Sequence, residues 1–259
     1  MKRMILSLTL AAALCLSLVP GAGAAFTDIP DDTTQVAAAV LQGLGVVSGT
    51  SGATFSPNET LTRAQMCAMA VNAMGLSDQV STGGRKTLFS DVSPSAWYNG
   101  YMNVAYGEGL INGYGNGTFG PDDPVTYGQV ATVLLRMLGY TSAEVGSLWP
   151  LDYTDFCDGL GLSQGLALSP NDSLTRGEAA VLLYRTLLEN VNGSDRPCYE
   201  TIDGVASTAE AILLDTDAAY GGGERSAHGL SARRERHHLL HPGPAAERRP
   251  GGAAGHPAL

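Results

Sequence analysis

Hydrophobic residues recur at helical spacing in three separate stretches of the chain. Each stretch has apolar residues at i, i+3, i+4, i+7 and i+8, the pattern of an amphipathic helix with one buried face. The positions are Met66, Met69, Ala70, Ala73 and Met74; Val130, Val133, Leu134, Met137 and Leu138; and Ala179, Leu182, Leu183, Thr186 and Leu187, where a threonine replaces one apolar residue. The pattern predicts three equivalent buried helices.

A short polar motif precedes each of these stretches. It reads NETLTRAQ at 58–65, DDPVTYGQ at 122–129 and NDSLTRGE at 171–178. In each copy a threonine is followed three residues later by Gln or Glu, the signature of a capping box at a helix N-terminus. Gly75 and Gly139 then follow two of the helices as expected C-terminal caps. A motif that occurs three times with the same local role indicates an internal repeat.

The first helical position is held by Arg63, Tyr127 and Arg176. An arginine is locally unfavourable there, because the helix N-terminus already carries partial positive charge. Two interpretations follow for the arginines. Either the guanidinium and the helix N-terminus hold an anion together, or the arginine forms a surface ion pair with a nearby carboxylate.

A second helical segment and a glycine-rich turn precede each polar motif. In the middle copy, Phe89-Ser-Asp91 and Trp97-Tyr98 lead into a helical stretch to Gly109 and then into a turn at 110–121. The first copy has Phe26-Thr-Asp28 and a turn at 45–57, and in the third copy Trp149 is in register with Trp97. Three apolar residues at one equivalent position are predicted to be buried and to hold the turn on the helices: Phe55, Phe119 and Leu168.

These motifs resemble the S-layer homology (SLH) family. Its units open with an F-x-D-V-like stretch and a Trp-Tyr pair, continue through a G-Y-x-D-G-T-F-x-P loop and end on a T-R-A-E helix start. Residues 89–139 match best, with FSDV, WY, GYGNGTFGP and VTYGQ. The resemblance covers residues 26–190 as three tandem repeats at 26–76, 89–140 and 149–190.

The resemblance implies a mainly all-α fold in which three helix-loop-helix repeats form a three-pronged spindle around a small helical bundle. It also implies non-covalent anchoring to the Gram-positive cell wall, by binding pyruvylated secondary cell-wall polysaccharide in grooves between the prongs. The residues carried over as ligand-binding are Arg63, Arg176, Trp97, Trp149, Gly113, Tyr114, Asn116, Thr118 and Glu178. The arginines would clamp the ketal carboxylate and the tryptophans would stack on sugar rings, although core packing of the prongs is an equal interpretation for the tryptophans.

The chain departs from the family pattern at several of these positions. Tyr127 replaces the arginine of the second repeat, which predicts a weakened or inactive groove there. Gln65 and Gln129 replace the usual glutamate, Thr33 stands where the first repeat would carry a tryptophan, and the third repeat lacks the G-Y-x-D-G-T-F loop. One or two competent grooves are therefore expected rather than three.

The two ends of the chain differ from the repeats in composition. Residues 1–24 have the pattern of a secretory signal peptide: Lys2 and Arg3, an apolar run, then Ala22-Gly-Ala24 as a cleavage site. No other segment is long and apolar enough to span a bilayer. Residues 191–220 are expected to be a linker or the start of a truncated domain. Residues 221–259 hold all five histidines and no apolar period, which predicts a disordered tail. Out-of-frame translation is a hypothesis for its origin.

Charge and cysteine content limit the possible functions. Residues 25–220 hold 22 acidic and 7 basic side chains, a net charge of −15, which disfavours nucleic acid as a partner. Cys67, Cys157 and Cys198 are scattered, so neither disulfides nor zinc are expected, and no cofactor or metal site is predicted. The sequence also contains no catalytic motif such as H-E-x-x-H or a P-loop, so the chain is not expected to be an enzyme.

The leading hypothesis is thus a secreted, non-enzymatic module at the cell wall or S-layer whose partner is secondary cell-wall polysaccharide. Two alternatives stay open. One is a structural component of a surface array with degenerate grooves, whose partners would be other S-layer subunits. The other is the anchor of a wall-active hydrolase whose catalytic domain is missing from this chain.

Overall fold

The computed structural model describes residues 26–81 and 86–202, and these ranges are built from helices and turns. The α-helices are α1 (Asp32–Gly43), α2 (Arg63–Ala73), α3 (Asn99–Gly107), α4 (Tyr127–Met137), α5 (Ser142–Val145), α6 (Leu151–Gly159) and α7 (Arg176–Leu188). Two short 3-10 helices cover Ser77–Gln79 and Cys198–Thr201. Within these ranges β-structure is limited to isolated bridges, so the mainly all-α prediction is confirmed.

The three predicted helix starts lie where the capping boxes place them. Helices α2, α4 and α7 begin directly after Thr62, Thr126 and Thr175, and each has a capping box. Gly75 and Gly139 follow α2 and α4 with φ of +68° and +82°, a region that glycine adopts without steric cost. Local sequence therefore determines where these helices begin and where two of them end. The short helix α5 has its own capping box at Thr141 and was not predicted.

Helices α2, α4 and α7 contact one another at the centre, and each carries one outer helix. The outer helix comes from a neighbouring repeat in every case: α3 packs on α2, α6 on α4, and α1 on α7. Each prong is thus a pair of helices contributed by two repeats. The pairing of α1 with α7 joins the first repeat to the third. This arrangement confirms the predicted three-pronged spindle around a small helical bundle.

A closed ring of backbone hydrogen bonds joins the three repeats just before the central helices. The amide of Leu61 donates to Leu174 O, that of Leu174 to Val125 O, and that of Val125 to Leu61 O, each at 2.9 Å. All three side chains are at most 3% exposed. The ring satisfies buried backbone groups that would otherwise each cost about 1–3 kcal/mol, and it fixes the three helix starts relative to one another.

The first two amides of each central helix donate to the turn of another repeat. Arg63 N donates to Asp123 O (3.0 Å) and Ala64 N to Pro121 O (3.0 Å). The same pair of bonds runs from α4 to the turn of the third repeat, and from α7 to the turn of the first. Amides that a helix cannot satisfy internally therefore hold the repeats together.

Two aspartates fasten the glycine-rich turns to the start of their own repeats. The Asp28 carboxylate accepts hydrogen bonds from the amides of Phe55 (2.8 Å) and Ser56 (2.7 Å). The Asp91 carboxylate accepts them from Phe119 (2.9 Å) and Gly120 (2.7 Å). The phenylalanines are buried as predicted, at 0% and 2% exposure, whereas the equivalent Leu168 is only partly buried.

Some predicted features lie outside the described residues, namely the signal peptide at 1–24 and the tail at 221–259. Of the stretch 191–220, the structure describes 191–202, where the 3-10 helix Cys198–Thr201 packs against α7. Cys67, Cys157 and Cys198 are free and buried.

Candidate functional site

Arg63, the first residue of α2, extends into the glycine-rich turn of the second repeat. Its Nε donates to Phe119 O at 2.8 Å, and its Cζ lies 4.3 Å from the ring centre of Phe119 and 4.5 Å from that of Tyr114. The residue is only 8% exposed. Burial lowers the pKa of its guanidinium, although nearby Tyr114, Asp123 and Asp91 oppose that shift. A buried cation held by a carbonyl and two aromatic faces is a strong connection between repeats.

Arg176 makes the equivalent contacts in the first repeat. Its Nε donates to Phe55 O (2.9 Å) and its Nη2 to Ser48 O (2.6 Å), while its Cζ lies 4.6 Å from the ring centre of Phe55. The first helical position, which local helix formation leaves unexplained, therefore joins one repeat to another.

Tyr127 occupies the same position in α4 and reaches into the third repeat. Its hydroxyl donates to Asp158 Oδ1 at 2.6 Å, and the Ser163 hydroxyl bonds to the same oxygen. The ring is 1% exposed. Burial, and then the bond to Asp158, raise the pKa of the phenol. A buried neutral side chain thus fills the place that a guanidinium takes at the other two junctions.

These contacts exclude a part of each sequence-based interpretation of the two arginines: the helix N-terminus as a partner in holding an anion, and the surface ion pair within the described residues. The first amides of α2 and α7 are occupied by carbonyl oxygens, so the helix N-terminus has no free amide there with which to help hold an anion. Within the described residues, neither Arg63 nor Arg176 forms an ion pair with a carboxylate. Local sequence could not show this, because the acceptors of the Nε groups are 56 and 121 residues away along the chain.

A cavity of about 410 Å³ opens where all three repeats meet beside Arg63. Polar and aromatic side chains reach it from the start of α2, the turn at 110–119, helix α4 and the start of the third repeat. They are Arg63, Asn112, Tyr114, Phe119, Gln129, Thr132, Arg136, Trp149 and Tyr153. Two arginines and no carboxylate line this cavity, in a molecule whose repeats are strongly acidic.

Trp149 forms one wall of the cavity and is 54% exposed. Its Nε1 donates to Thr132 Oγ1 at 3.1 Å, which fixes the orientation of the indole. Trp97 is 60% exposed and makes edge contacts with the rings of Tyr98 and Tyr101. Core packing is therefore the wrong interpretation for both tryptophans, since more than half of each side chain faces solvent.

Several residues of the loop at 113–118 are needed for the conformation of the loop itself. A Cβ on Gly113 would lie 2.5 Å from both Phe89 Cε1 and Thr118 O, so only glycine fits there. Asn116 Oδ1 accepts from the amide (3.0 Å) and hydroxyl (2.6 Å) of Thr118, and the Tyr114 hydroxyl donates to Asp123 Oδ2 (2.8 Å). These bonds shape the loop that presents Gly113 and Tyr114 to the cavity.

The structure separates the nine predicted ligand residues into two groups. Arg63, Trp149, Gly113 and Tyr114 line the cavity, and Asn116 and Thr118 lie in its loop. Arg176 belongs to the junction between the third and first repeats, Glu178 completes the capping box of α7, and Trp97 lies two residues before α3, the outer helix that packs on α2. The two arginines therefore belong to two places and do not converge on one ligand.

Five polar side chains of the cavity were missed: Asn112, Gln129, Thr132, Arg136 and Tyr153. A signal for Arg136 existed, because the tenth residue of each central helix is polar in an otherwise largely apolar stretch: Asn72, Arg136 and Arg185. Gln129 was interpreted only as a cap. Its side chain also serves the cavity, while its Oε1 accepts from Thr126 N at 3.2 Å.

Two other kinds of site are not found in the described ranges. Residues 26–81 and 86–202 contain no group of three or more His, Cys, Asp or Glu side chains placed to hold a metal ion. In the same part of the chain, no helix has the length and apolar character needed to cross a bilayer.

Comparison with known proteins identifies related sequences. Residues 25–67 and 88–131 match the family model described as S-layer homology domain. A "Cell surface protein" of Thermoanaerobacter kivui is 33% identical over 199 residues, covering 74% of this chain and 26% of that protein. A "Middle cell wall protein" of Brevibacillus brevis is 31% identical over 193 residues, covering 72% of this chain and 18% of its own length. An "Amylopullulanase" of Thermoanaerobacterium thermosulfurigenes is 27% identical over 184 residues, 10% of its length. The chain thus spans about a quarter or less of these relatives.

Proposed function

Because the chain carries S-layer homology domains at residues 25–67 and 88–131, we propose that it anchors an exported protein to the Gram-positive cell wall by binding secondary cell-wall polysaccharide. Relatives named as cell-surface and cell-wall proteins support a role at the cell surface. The carbohydrate-degrading relative matches over only a tenth of its length, which supports a module that holds an enzyme in place rather than one that catalyses a reaction.

The observation that carries the proposal is the composition of the cavity beside Arg63. It combines two guanidiniums with the exposed indole of Trp149 and the half-buried ring of Tyr153, and no carboxylate lines it. Aromatic faces suit the apolar face of a sugar ring, and guanidiniums suit a carboxylate or ketal acid. A polymer with acidic sugars fits this combination, because its carboxylates would supply the negative charge that the cavity lining lacks.

A second, weaker site is proposed at the junction that Arg176 forms with the first repeat. Trp97 is the counterpart of Trp149 in the second repeat. Trp97 precedes α3, which packs on α2, and Trp149 precedes α6, which packs on α4. The junction at Tyr127 has a buried phenol in place of the guanidinium, and we propose that it contributes no anion contact.

The experiment is co-sedimentation of the full chain with Gram-positive wall sacculi, before and after chemical removal of the secondary polysaccharide. Binding is expected to disappear on removal. Arg63→Gln and Trp149→Ala should each weaken it about tenfold or more, in line with the loss of one charge-assisted or one stacking contact. Equal binding to intact and stripped sacculi would refute the proposal.

Two variants serve as matched controls. Arg196→Gln removes an exposed arginine whose partner is Glu200 (3.7 Å), away from the cavity. Leu151→Ala removes an exposed apolar side chain (55%) two residues after Trp149 that does not line the cavity. Both are expected to bind sacculi like the unchanged chain.

A structural role in a surface array is the second candidate function. Leu148, Trp149 and Leu151 expose more than half of their side chains next to one another at the start of α6. Such a patch could contact another surface-layer subunit. Concentration-dependent self-association that Leu148→Ser abolishes, together with no binding to sacculi, would favour this candidate over the anchor.

A further inference from the structure

Each central helix has a second junction residue at its tenth position, besides the one at its first. Arg136 Nη1 donates to Leu110 O (3.1 Å), Arg185 Nη1 to Leu162 O (2.8 Å), and Asn72 Nδ2 to Val46 O (3.4 Å). The acceptor is always the residue that follows the glycine after the outer helix of the same repeat. This shared bond gives position ten a structural role in all three repeats.

The three junctions differ in how these two positions combine. Where α2 meets the second repeat, Arg63 is combined with Arg136, the tenth residue of the central helix α4 of that repeat. Where α7 meets the first repeat, Arg176 is combined with Asn72. Where α4 meets the third repeat, Tyr127 is combined with Arg185. Two guanidiniums therefore meet at a single one of the three junctions.

In that junction the two arginines contact the same residue from different sides. Arg63 Nη2 lies 3.5 Å from the main-chain oxygen of Asn112. With the side-chain amide of Asn112 turned to satisfy its own hydrogen bonds, its oxygen accepts from Arg136 Nη2 at 3.1 Å. Both guanidiniums line the cavity, and neither forms an ion pair with a carboxylate in the described part of the chain.

We propose that Arg136 is a specificity-determining residue, which together with Arg63 binds the acidic group of the glycan, so that this junction alone is the high-affinity site. The inference rests on the proposed function and assigns the tight site within it. A guanidinium has five N–H donors, and Arg136 uses one on Leu110 and one on Asn112, which leaves three for a ligand. Arg63 is buried and Arg136 is half-buried. Two such cations attract an anion far more strongly than one does, since the interaction energy of each adds in a medium of reduced dielectric constant.

Arg185 provides a matched control for Arg136. Both are the tenth residue of a central helix, both are half-buried, and both donate Nη1 to the equivalent carbonyl of their own repeat. Replacing either by glutamine removes the same structural bond. Only Arg136 lines the cavity together with a second arginine, so a loss confined to Arg136→Gln reports on ligand binding and not on folding.

The test is isothermal titration calorimetry of the full chain with purified wall-polysaccharide fragments. The same fragments after chemical reduction of their carboxyl groups to alcohols serve as the uncharged probe. The unchanged chain should bind the native fragments about tenfold or more tightly than the reduced ones. Arg136→Gln should lose about tenfold in affinity for the native fragments, about 1.4 kcal/mol, and little for the reduced ones, while Arg185→Gln should behave like the unchanged chain.

A gain-of-function variant makes the test independent of any loss of stability. Asn72→Arg creates the pair of arginines at the Arg176 junction and should raise the number of tight sites from one to two. Equal losses in Arg136→Gln and Arg185→Gln, at matched thermal stability, would overturn the inference while leaving the anchor function intact. If the unchanged chain binds neither fragment preparation, the proposed function itself fails.

Discussion

Replacing Tyr127 by phenylalanine removes one hydroxyl from the junction between the second and third repeats. That hydroxyl donates to Asp158 Oδ1 at 2.6 Å, and the ring is 1% exposed. A hydrogen bond to a charged group contributes about 1.5–3 kcal/mol. Asp158 is itself exposed and keeps its bond from Ser163, so water can take the vacated place. We therefore expect the lower end, a loss of about 1.5 kcal/mol in the free energy of unfolding.

The chain offers a matched control in Tyr114→Phe. The Tyr114 hydroxyl also donates to an aspartate, Asp123, at 2.8 Å, but its ring is 48% exposed. Surface substitutions of this kind usually change stability by about 0.5 kcal/mol or less. The two variants undergo the same chemical change and differ mainly in burial and in the junction that the tyrosine occupies.

The assay is urea unfolding of the full chain followed by far-ultraviolet circular dichroism, with a thermal scan alongside. For a domain of this size about 1.5 kcal/mol corresponds to a fall in Tm of roughly 3–6 °C, while the urea m-value should stay unchanged. Equal effects of the two substitutions, or none for Tyr127→Phe, would refute the argument that this hydroxyl joins the repeats.

Two further predictions concern titratable groups. Burial alone would raise the pKa of Asp91, but hydrogen bonds from Gly120 and Phe119 outweigh it and hold the pKa below its ordinary value of 3.8. The stabilising effect of the Asp91 carboxylate is therefore present above that value and is lost as the pH falls through the lower, folded-state pKa. Asp91→Asn should lower the stability at pH 7 and should flatten the acidic side of the curve of stability against pH. Asp195→Asn should change neither. Burial also raises the pKa of the Cys67 and Cys198 thiols to about 12, so peptide mapping after thiol alkylation at pH 8 should find both labelled only as fast as the chain unfolds, and rapid labelling in the absence of urea would contradict their burial.

The glycine-rich turns show how far local sequence can be interpreted. Their buried phenylalanines and the need for glycine after the helices follow from patterns a few residues long, and the structure agrees with both. Asp28 and Asp91 belong to the F-x-D motif that opens each of the first two repeats, yet that motif does not show their hydrogen-bond partners, which lie 27 and 28 residues further along the chain. A carboxylate that accepts amide hydrogen bonds has the same local signature as one that faces solvent.

What the sequence by itself determined is the repeat, the helix starts and the buried face of each central helix. These depend on hydrogen bonds and apolar spacing within three or four residues, which any helix of that sequence reproduces. The tertiary structure alone decided that each outer helix packs on a neighbouring repeat, and that Arg63 meets Trp149 and Arg136 in one cavity instead of meeting Arg176. Those outcomes depend on contacts between residues tens of positions apart, brought together by closure of the three-repeat ring, and no local pattern encodes them.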